Sequence, residues 1–455
     1  MRVKFPETVK KVIAKMEKSG YQVYVVGGAV RDVLTGVEVK DWDFTTDAKP
    51  EEIQKLFKDS FYDNAFGTVG IAEKHLGGKG DEVLEITTFR SESSYSDHRR
   101  PDRVVWGKSL KDDLKRRDFT INAMALRPVR QAHGKQDQEI VDPFDGQKDL
   151  DQKLVRAVGE ADKRFKEDAL RMMRAIRIAA QLGFGIEEKT LKAIEKNSKL
   201  IKKIAYERIR DEWLKIIASP YPKDGVLLLF TSGLLEHIVP ELIETRGVDQ
   251  AGHHTKDVWN HSLDSLQACP ADDPIIRMAT LLHDIGKPAS NKNRGKGKEI
   301  TFYNHEVIGA RMVKVVARRL KMSKKQIDLL WLLVRWHMFA YDPKMTDKAI
   351  RRFVRRVGVE NIDKMMMLRA GDRVGGGTKA TSWRLKELQQ RVKEVLHTPM
   401  QIKDMKVNGN DVMKILKIKG GPKVGRVLKK LFEEVMKDSK KNDRKYLLKR
   451  VKDLT

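Results

Sequence analysis

Cysteine is almost absent from this chain of 455 residues: Cys269 stands alone. An intrachain disulfide and a thiolate metal cluster are thereby excluded, and a reducing cytosol fits. No apolar run approaches the roughly 20 residues that a membrane-spanning helix needs. The N-terminal stretch is charged and has no apolar signal-peptide core, so the cytoplasm is the expected location. Long low-complexity linkers and internal repeats are missing as well. Acidic residues are in deficit: 64 Asp and Glu face 91 Lys and Arg, a formal net charge of +27. That excess calls for a polyanion, most simply a nucleic-acid backbone, because phosphate contacts dominate such affinities. An anionic membrane surface is the competing partner. What is present, 40% hydrophobic residues, suffices for packed interiors, and the length suits two to four domains.

The chemistry is densest between Tyr24 and Phe44. An apolar run, Tyr24 to Val26, meets Gly27-Gly28, and Ala29 to Leu34 follows with helical spacing. Strand, glycine turn and helix in that order bring unpaired N–H groups to a corner suited to a phosphate chain. After the break at Gly36 a second extended run carries Asp41 and Asp43, two apart and so on one face of a strand. Carboxylates that close repel unless a cation lies between them, and a hard divalent ion such as Mg²⁺ suits oxygen ligands. Phosphate corner plus metal pair points to phosphoryl or nucleotidyl transfer by two metals. Singly, Gly-Gly is an ordinary turn and Asp-x-Asp an ordinary strand end. The combination carries the reading.

Residues 1 to about 150 mix short extended runs (Gln22–Val26, Trp42–Thr45, Thr68–Ala72, Val83–Phe89, Val104–Val105) with helical stretches around Val9–Lys18 and Glu51–Phe57. An α/β domain is expected there, and an almost wholly helical chain from about Leu154. Gly77–Gly80, Ala132–Gln138 and Asn291–Lys298 read as hairpin tips or surface loops. Glu85, in the run Val83–Phe89, is either a third acid beside Asp41 and Asp43 or a residue on a solvated face. Arg90 to Arg103 reads as a mobile loop long enough to close over a substrate. In Arg116-Arg117-Asp118 the guanidiniums can fork onto phosphates or ribose oxygens, though a surface salt-bridge run is the plainer account. Arg164 to Ala180 reads as one helix with an apolar stripe of Ala169, Met172, Met173, Ile176 and Ala179. Its other side holds Glu167, Arg171 and Arg174, with Asp168 three before Arg171. Either this is an ordinary salt-bridged helix, or a fixed Asp–Arg pair, acceptor beside donor, reads the edge of a nucleobase.

A second constellation follows. His261, His283-Asp284 (before Ile285-Gly286-Lys287), His305, His337 and Asp372 fall in helical contexts. Imidazoles and carboxylates together bind transition metals or Mg²⁺ and can activate a water, whereas a lone His is usually a satisfied core residue. From about Thr378 the helices are strongly basic, as in Lys423–Lys430 and Lys440–Arg450. Solvated faces explain any one such run. Together, with the net charge, they read as a face for an RNA backbone.

These motifs, in this order, resemble the class II tRNA nucleotidyltransferases, the CCA-adding enzyme and poly(A) polymerase family, fused to an HD domain; the likeness runs from about residue 6 to 455. It implies a polymerase-β-like α/β nucleotidyltransferase head (1–150), then an all-α neck that binds RNA and nucleotide (151–250). An HD domain (251–377) and a basic helical tail (378–455) complete the expected order. By that resemblance Gly27, Gly28, Val30, Arg31 and Asp32 hold the triphosphate, and Asp41 and Asp43 bind two Mg²⁺ ions, with Glu85 a further candidate. Arg116, Arg117 and Asp118 are expected to recognise ribose. Asp168 and Arg171 would pair with the incoming C or A, Glu167 would position Arg171, and Arg174 joins the nucleotide-binding set. Glu207–Glu212 is similar to a helical motif that supports the neck, and Arg90–Pro101 to a loop that switches from C to A. His261, His283, Asp284 and Asp372 match the HD signature for a divalent metal of unspecified identity, with His305 and His337 as further ligands. Asp145 stands where relatives commonly have Gly, which a turn tolerates, and the insert Ala132–Gln138 lengthens a hairpin.

The expected activity is template-independent addition of CCA to the tRNA 3′ end from CTP and ATP, by a monomer or homodimer without a membrane partner. A poly(A) polymerase, or an enzyme adding only CC or only A, keeps the same chemistry. A metal phosphohydrolase or phosphodiesterase centred on the HD domain is the alternative of another class, and an RNA-binding protein with a degenerate head a third.

Overall fold

The computed structural model describes residues 4–39, 41–63, 67–80, 82–93, 103–107, 109–130, 136–249, 256–290, 301–339, 341–396 and 402–454. Contacts divide the chain into two compact units, Met1–Ile243 and Glu244–Thr455.

The first unit opens as an α/β domain. Its strands are β1 (Val23–Val26), β2 (Asp43–Thr46), β3 (Ser60–Asp63), β4 (Thr68–Ala72), β5 (Val83–Thr88), β6 (Arg90–Ser93), β7 (Arg103–Trp106), β8 (Ala125–Arg130) and β9 (Gln136–Val141). Seven of them form one sheet in the order β3-β4-β5-β2-β1-β8-β9, and β6 pairs with β7 as a separate ribbon. β1 is buried along its whole length, as an apolar strand covered on both faces should be. The helix Glu7–Lys18 buries Val9, Val12, Ile13 and Met16, an i, i+3, i+4, i+7 stripe. Each such side chain contributes roughly 1.5–3 kcal/mol.

β1 and β2 run antiparallel, with Val26 opposite Asp43. The end of β1 therefore meets the start of β2. β5 is parallel to β2, with Glu85 beside Asp43, and β8 sets Ala125 beside Val26. The glycine turn, the acids and the segment leading into β8 thus gather at one end of the sheet.

Arg90–Ser93, read from sequence as part of a loop, is the strand β6, paired with β7, which contains the extended run expected at Val104–Val105; residues 94–102 lie outside the described residues. β8 and β9 pair as a hairpin from Ala125↔Val141 to Arg130↔Gln136, as the expected lengthening implied. The insert's residues 132–135 are outside the described residues, as are 291–298. Asp145 adopts φ +59°, the left-handed conformation that Gly takes freely and Asp tolerates.

Beyond Leu154 the unit is helical except for a two-residue strand pair. The single helix expected over Arg164–Ala180 is in fact two, Ala161–Glu167 and Leu170–Leu182. Asp168 breaks it: its backbone is extended, and its Oδ1 accepts the Leu170 N–H at 3.0 Å, satisfying one of the N–H groups a new helix leaves open.

Among the described residues, the helices and strands of the second unit are all helices. Five of its helices, Val258–Ala268, Pro274–Leu282, His305–Arg319, Lys324–Trp336 and Ile362–Gly375, carry or adjoin the histidines and acids singled out above. The basic C-terminal stretch has its own core, where Val427, Leu431 and Val435 of Pro422–Lys437 meet Leu447 and Val451 of Arg444–Asp453.

Candidate active site

Gly27 sits at φ +74°, strained for any other residue, and caps the helix Gly28–Thr35. A Cβ there would lie 3.2 Å from Arg117 Nη1 and 3.4 Å from Asp43 Oδ2. Turn, acid and arginine therefore converge on one point. The Arg31 side chain folds back over Gly28, whose Cβ would stand 3.4 Å from Arg31 Nη2. Helix N–H groups and a guanidinium share the corner.

Asp43 is partly buried at the start of β2, while Asp41 precedes the strand and is exposed, so the expected strand pair is a strand residue and its extended approach. Burial pushes the Asp43 carboxyl up to about 6; Arg117 opposes that rise, and Glu85 and Asp41 add to it. Glu85 is exposed beside Asp43 and acts on it electrostatically. Like charges crowded into a half-buried place, with one guanidinium nearby, fit a divalent cation bound by oxygens.

Behind this corner runs a continuous polar network. Arg31 donates to Asp32 at 2.6 Å and to Asn122 Oδ1 at 2.9 Å. Asn122 donates to Asp118 Oδ1 at 3.4 Å, and Arg174 pairs with Asp118 Oδ2 at 2.6 Å. Burial works against the charged Asp118, yet Arg174 and further donors bring it down to about 2. Its folded value lies below the unfolded one of about 3.9. The stability it contributes is therefore present above pH 4 and lost as the pH falls toward 2. A shift of that size is worth about 2 kcal/mol. Asp118→Asn should flatten acid unfolding between pH 4 and 2, read by denaturant midpoints across that range.

Asp113 was not singled out from sequence. It is fully buried and receives both Arg116, at 2.7 Å, and Arg117, at 3.3 Å. Its spacing of three and four before the arginines, within a helical pattern, was the available signal. Asn122 carried none, since its role arises only from the packing of three distant segments.

The two residues expected to read the base are held by separate partners. Arg171 pairs with Glu167, as expected of a positioned arginine, and also donates to the carbonyls of Arg164 and Arg116, at 3.2 and 3.5 Å. Asp168 pairs with Arg208 at 2.9 Å, and Arg177 meets Glu212 at 3.0 Å. The helix Tyr206–Ile217 thereby buttresses the break at Asp168 and the helix that follows it.

In the second unit every expected HD residue comes together. His261, His283 and Asp372 form one group of donor atoms within 4.8 Å of one another, and Asp284, His305 and His337 form another. Asp284 joins them: Oδ2 is 3.2 Å from His283 Nε2, and Oδ1 is 3.3 Å from His305 Nε2 and 3.7 Å from His337 Nε2. The Nδ1 atoms of His283, His305 and His337 lie 2.7–2.8 Å from the carbonyls of Thr280, Phe302 and Val334. Each ring thus donates through Nδ1 and presents a bare Nε2 inward. His305 and His337 Nε2 face each other at 3.4 Å, two acceptors that only a cation or a proton reconciles. Without a metal, desolvation opposes a charged His283, but Asp284 and Asp372 hold its proton up to about 10. The donor set fits two metal ions sharing Asp284. The cavity in front measures about 630 Å³ and includes Lys287, Arg369 and Arg373 in its lining.

Residues 23–156 match the Poly A polymerase head domain, 183–245 a probable RNA and SrmB-binding site of polymerase A, and 307–451 tRNA nucleotidyltransferase domain 2. A CCA-adding enzyme of Ligilactobacillus salivarius is 31% identical over 99% of this chain and 97% of its own length. The chain belongs to the family of CCA-adding enzymes and poly(A) polymerases. Another member, from Lactiplantibacillus plantarum, is 47% identical over 51% of this chain, an alignment spanning about half (54%) of that relative. The crystal structure of Bacillus stearothermophilus CCA-adding enzyme in complex with CTP shares the fold at a TM-score of 0.73 and 26% identity, covering 99% of this chain and 98% of its own. The family's head domain thus coincides with the sheet that assembles Gly27, Asp43 and Arg117.

Proposed function

We propose that the protein adds CMP, CMP and AMP to the 3′ end of tRNA from CTP and ATP, in the cytoplasm. The supporting observation is the network Arg31–Asn122–Asp118–Arg174, which ties the glycine corner beside Asp43 to the helix that follows the break at Asp168, within a chain of the CCA-adding family. The residues suited to two Mg²⁺ ions are Asp41 and Asp43, with Glu85 alongside. Such ions, when bound, make the 3′-hydroxyl easier to deprotonate and offset charge at the α-phosphate. The N–H groups of the Gly28 helix and Arg31 hold the triphosphate. Arg117, tied to Asp113, stands against the turn where ribose and phosphate meet.

Base choice follows from hydrogen-bond chemistry. C and A both present an amino group beside a bare ring nitrogen, whereas U and G present a carbonyl beside a ring N–H. An acceptor at Asp168 and a donor at Arg171 suit the first pair and leave unpaired groups against the second, at about 1–3 kcal/mol each. Arg208 holds the Asp168 carboxylate in place with its remaining lone pairs free to accept.

The test uses tRNA truncated before CCA, given each NTP singly and together, with product lengths resolved. CTP alone should add two residues, and CTP with ATP three. A ladder of A from ATP alone would assign poly(A) synthesis, and a stop at two residues CC addition only. In the same assay Arg208→Ala should raise UMP and GMP incorporation relative to CMP by about tenfold, as about 1.4 kcal/mol of lost selectivity implies. Unchanged selectivity would remove Arg208 from base reading.

The cage in the second unit supports a second reading, metal-dependent hydrolysis of a phosphate ester, carried by the facing Nε2 atoms of His305 and His337.

A further inference from the structure

A second hollow of about 400 Å³ adjoins the cage, and Met338 lines both. Its walls carry Arg335, Arg352 and Arg356, over an apolar floor of Trp336 and the stacked rings of Phe339 and Phe353. The two sites are built on the same short segments: His337 follows Trp336, and Glu306 follows His305. Trp336 has Arg335 over its ring at 4.2 Å and Arg356 at 4.9 Å. Contacts of this kind hold guanidiniums in place without neutralising them. Among the described residues Glu306 is the one carboxylate in the lining, and it lies 3.4 Å from Arg335, which offsets it. Among the described residues Arg352 has no hydrogen bond or ion pair, and Arg356 has the indole but no carboxylate. Three guanidiniums facing one hollow with a single acid among them make an anion site, and planar forks match phosphate oxygens.

We propose that this hollow is a phosphate subsite of the cage. It takes the phosphate next to the scissile one along a nucleotide or RNA strand. The inference rests on reading the cage as a metal-dependent hydrolase. In that reaction a water oxygen bonds to phosphorus, the bond to the leaving oxygen breaks, and the water proton passes to that oxygen. A simple phosphomonoester fills only the cage; a substrate with two neighbouring phosphates fills both.

The experiment compares p-nitrophenyl phosphate with 5′-phosphorylated diadenylate, using the full chain loaded with Mn²⁺. The wild type should prefer the diadenylate, and the double variant Arg352→Gln/Arg356→Gln should cut that preference roughly tenfold or more, the worth of a lost charged contact. Both side chains are exposed, so the fold is not at stake. Calorimetric titration of the diadenylate in EDTA, into His283→Ala and into the same variant carrying both Gln substitutions, should show a comparable loss of affinity. An unchanged preference, or equal affinity in the two titrations, overturns the subsite. If the wild type hydrolyses neither probe, the hydrolase reading falls on its own, and the titrations alone decide whether the arginines bind phosphate.

Discussion

Asp43→Ala should abolish nucleotide addition, reducing incorporation into truncated tRNA at least about a thousandfold while tRNA binding persists. The magnitude follows from its position. Asp43 is the one partly buried acid of its group, with the exposed Glu85 and Asp41 acting on it and Arg117 opposite. Metal-borne charge stabilisation is worth several kcal/mol, and each 1.36 kcal/mol is a factor of ten in rate. Removing the seat removes the ions together. Asp41→Ala should act in the same direction. Filter binding of tRNA separates a chemical defect from a folding defect, since the proposed RNA contacts draw on a net charge of +27 and not on Asp43. Normal turnover in Asp43→Ala would sink the assignment of the head.

The second large effect is expected at Asp284. Its two oxygens face the two donor groups, so no other single substitution removes a ligand from both. Asp284→Ala should reduce bound metal, measured by elemental analysis after dialysis, to near zero in both positions. His337→Ala should spare the group made by His261, His283 and Asp372. Asp284→Ala also takes away the carboxylate 2.6 Å from the half-buried Lys287, so a loss of thermal stability should accompany it. The loss should stay below the about 3–5 kcal/mol that breaking a fully buried pair costs. Chelation of the wild type should lower the unfolding temperature in the same unit, because bound metal stabilises only the folded form. Retention of two metal equivalents by Asp284→Ala would refute a shared carboxylate.

Much of both sites was readable along the chain. Gly27-Gly28 before a helix, Asp41 and Asp43 after it, and the order of Arg116-Arg117-Asp118 and Glu167-Asp168 are local patterns. Their chemistry depends on near neighbours. The helix break at Asp168 was not readable, because the apolar stripe continues through it and hides the change in backbone. Asp113 was overlooked because a buried acid looks like any other acid until its two arginines fold onto it.

The sequence by itself determined which chemistries are proposed: a glycine corner suited to phosphate beside acids suited to a metal, an acid and arginine proposed to face the base, and a histidine set suited to a second metal centre. It did so because each motif is a fixed spacing on one strand, turn or helix. The tertiary structure decided the partners. Asp168 is held by Arg208, forty residues on. Arg31 reaches Asp118 only through Asn122. Asp284 bridges two histidine groups drawn from separate helices. Such pairings depend on which elements pack together, and a directional hydrogen bond forms only where packing brings donor and acceptor within about 3 Å.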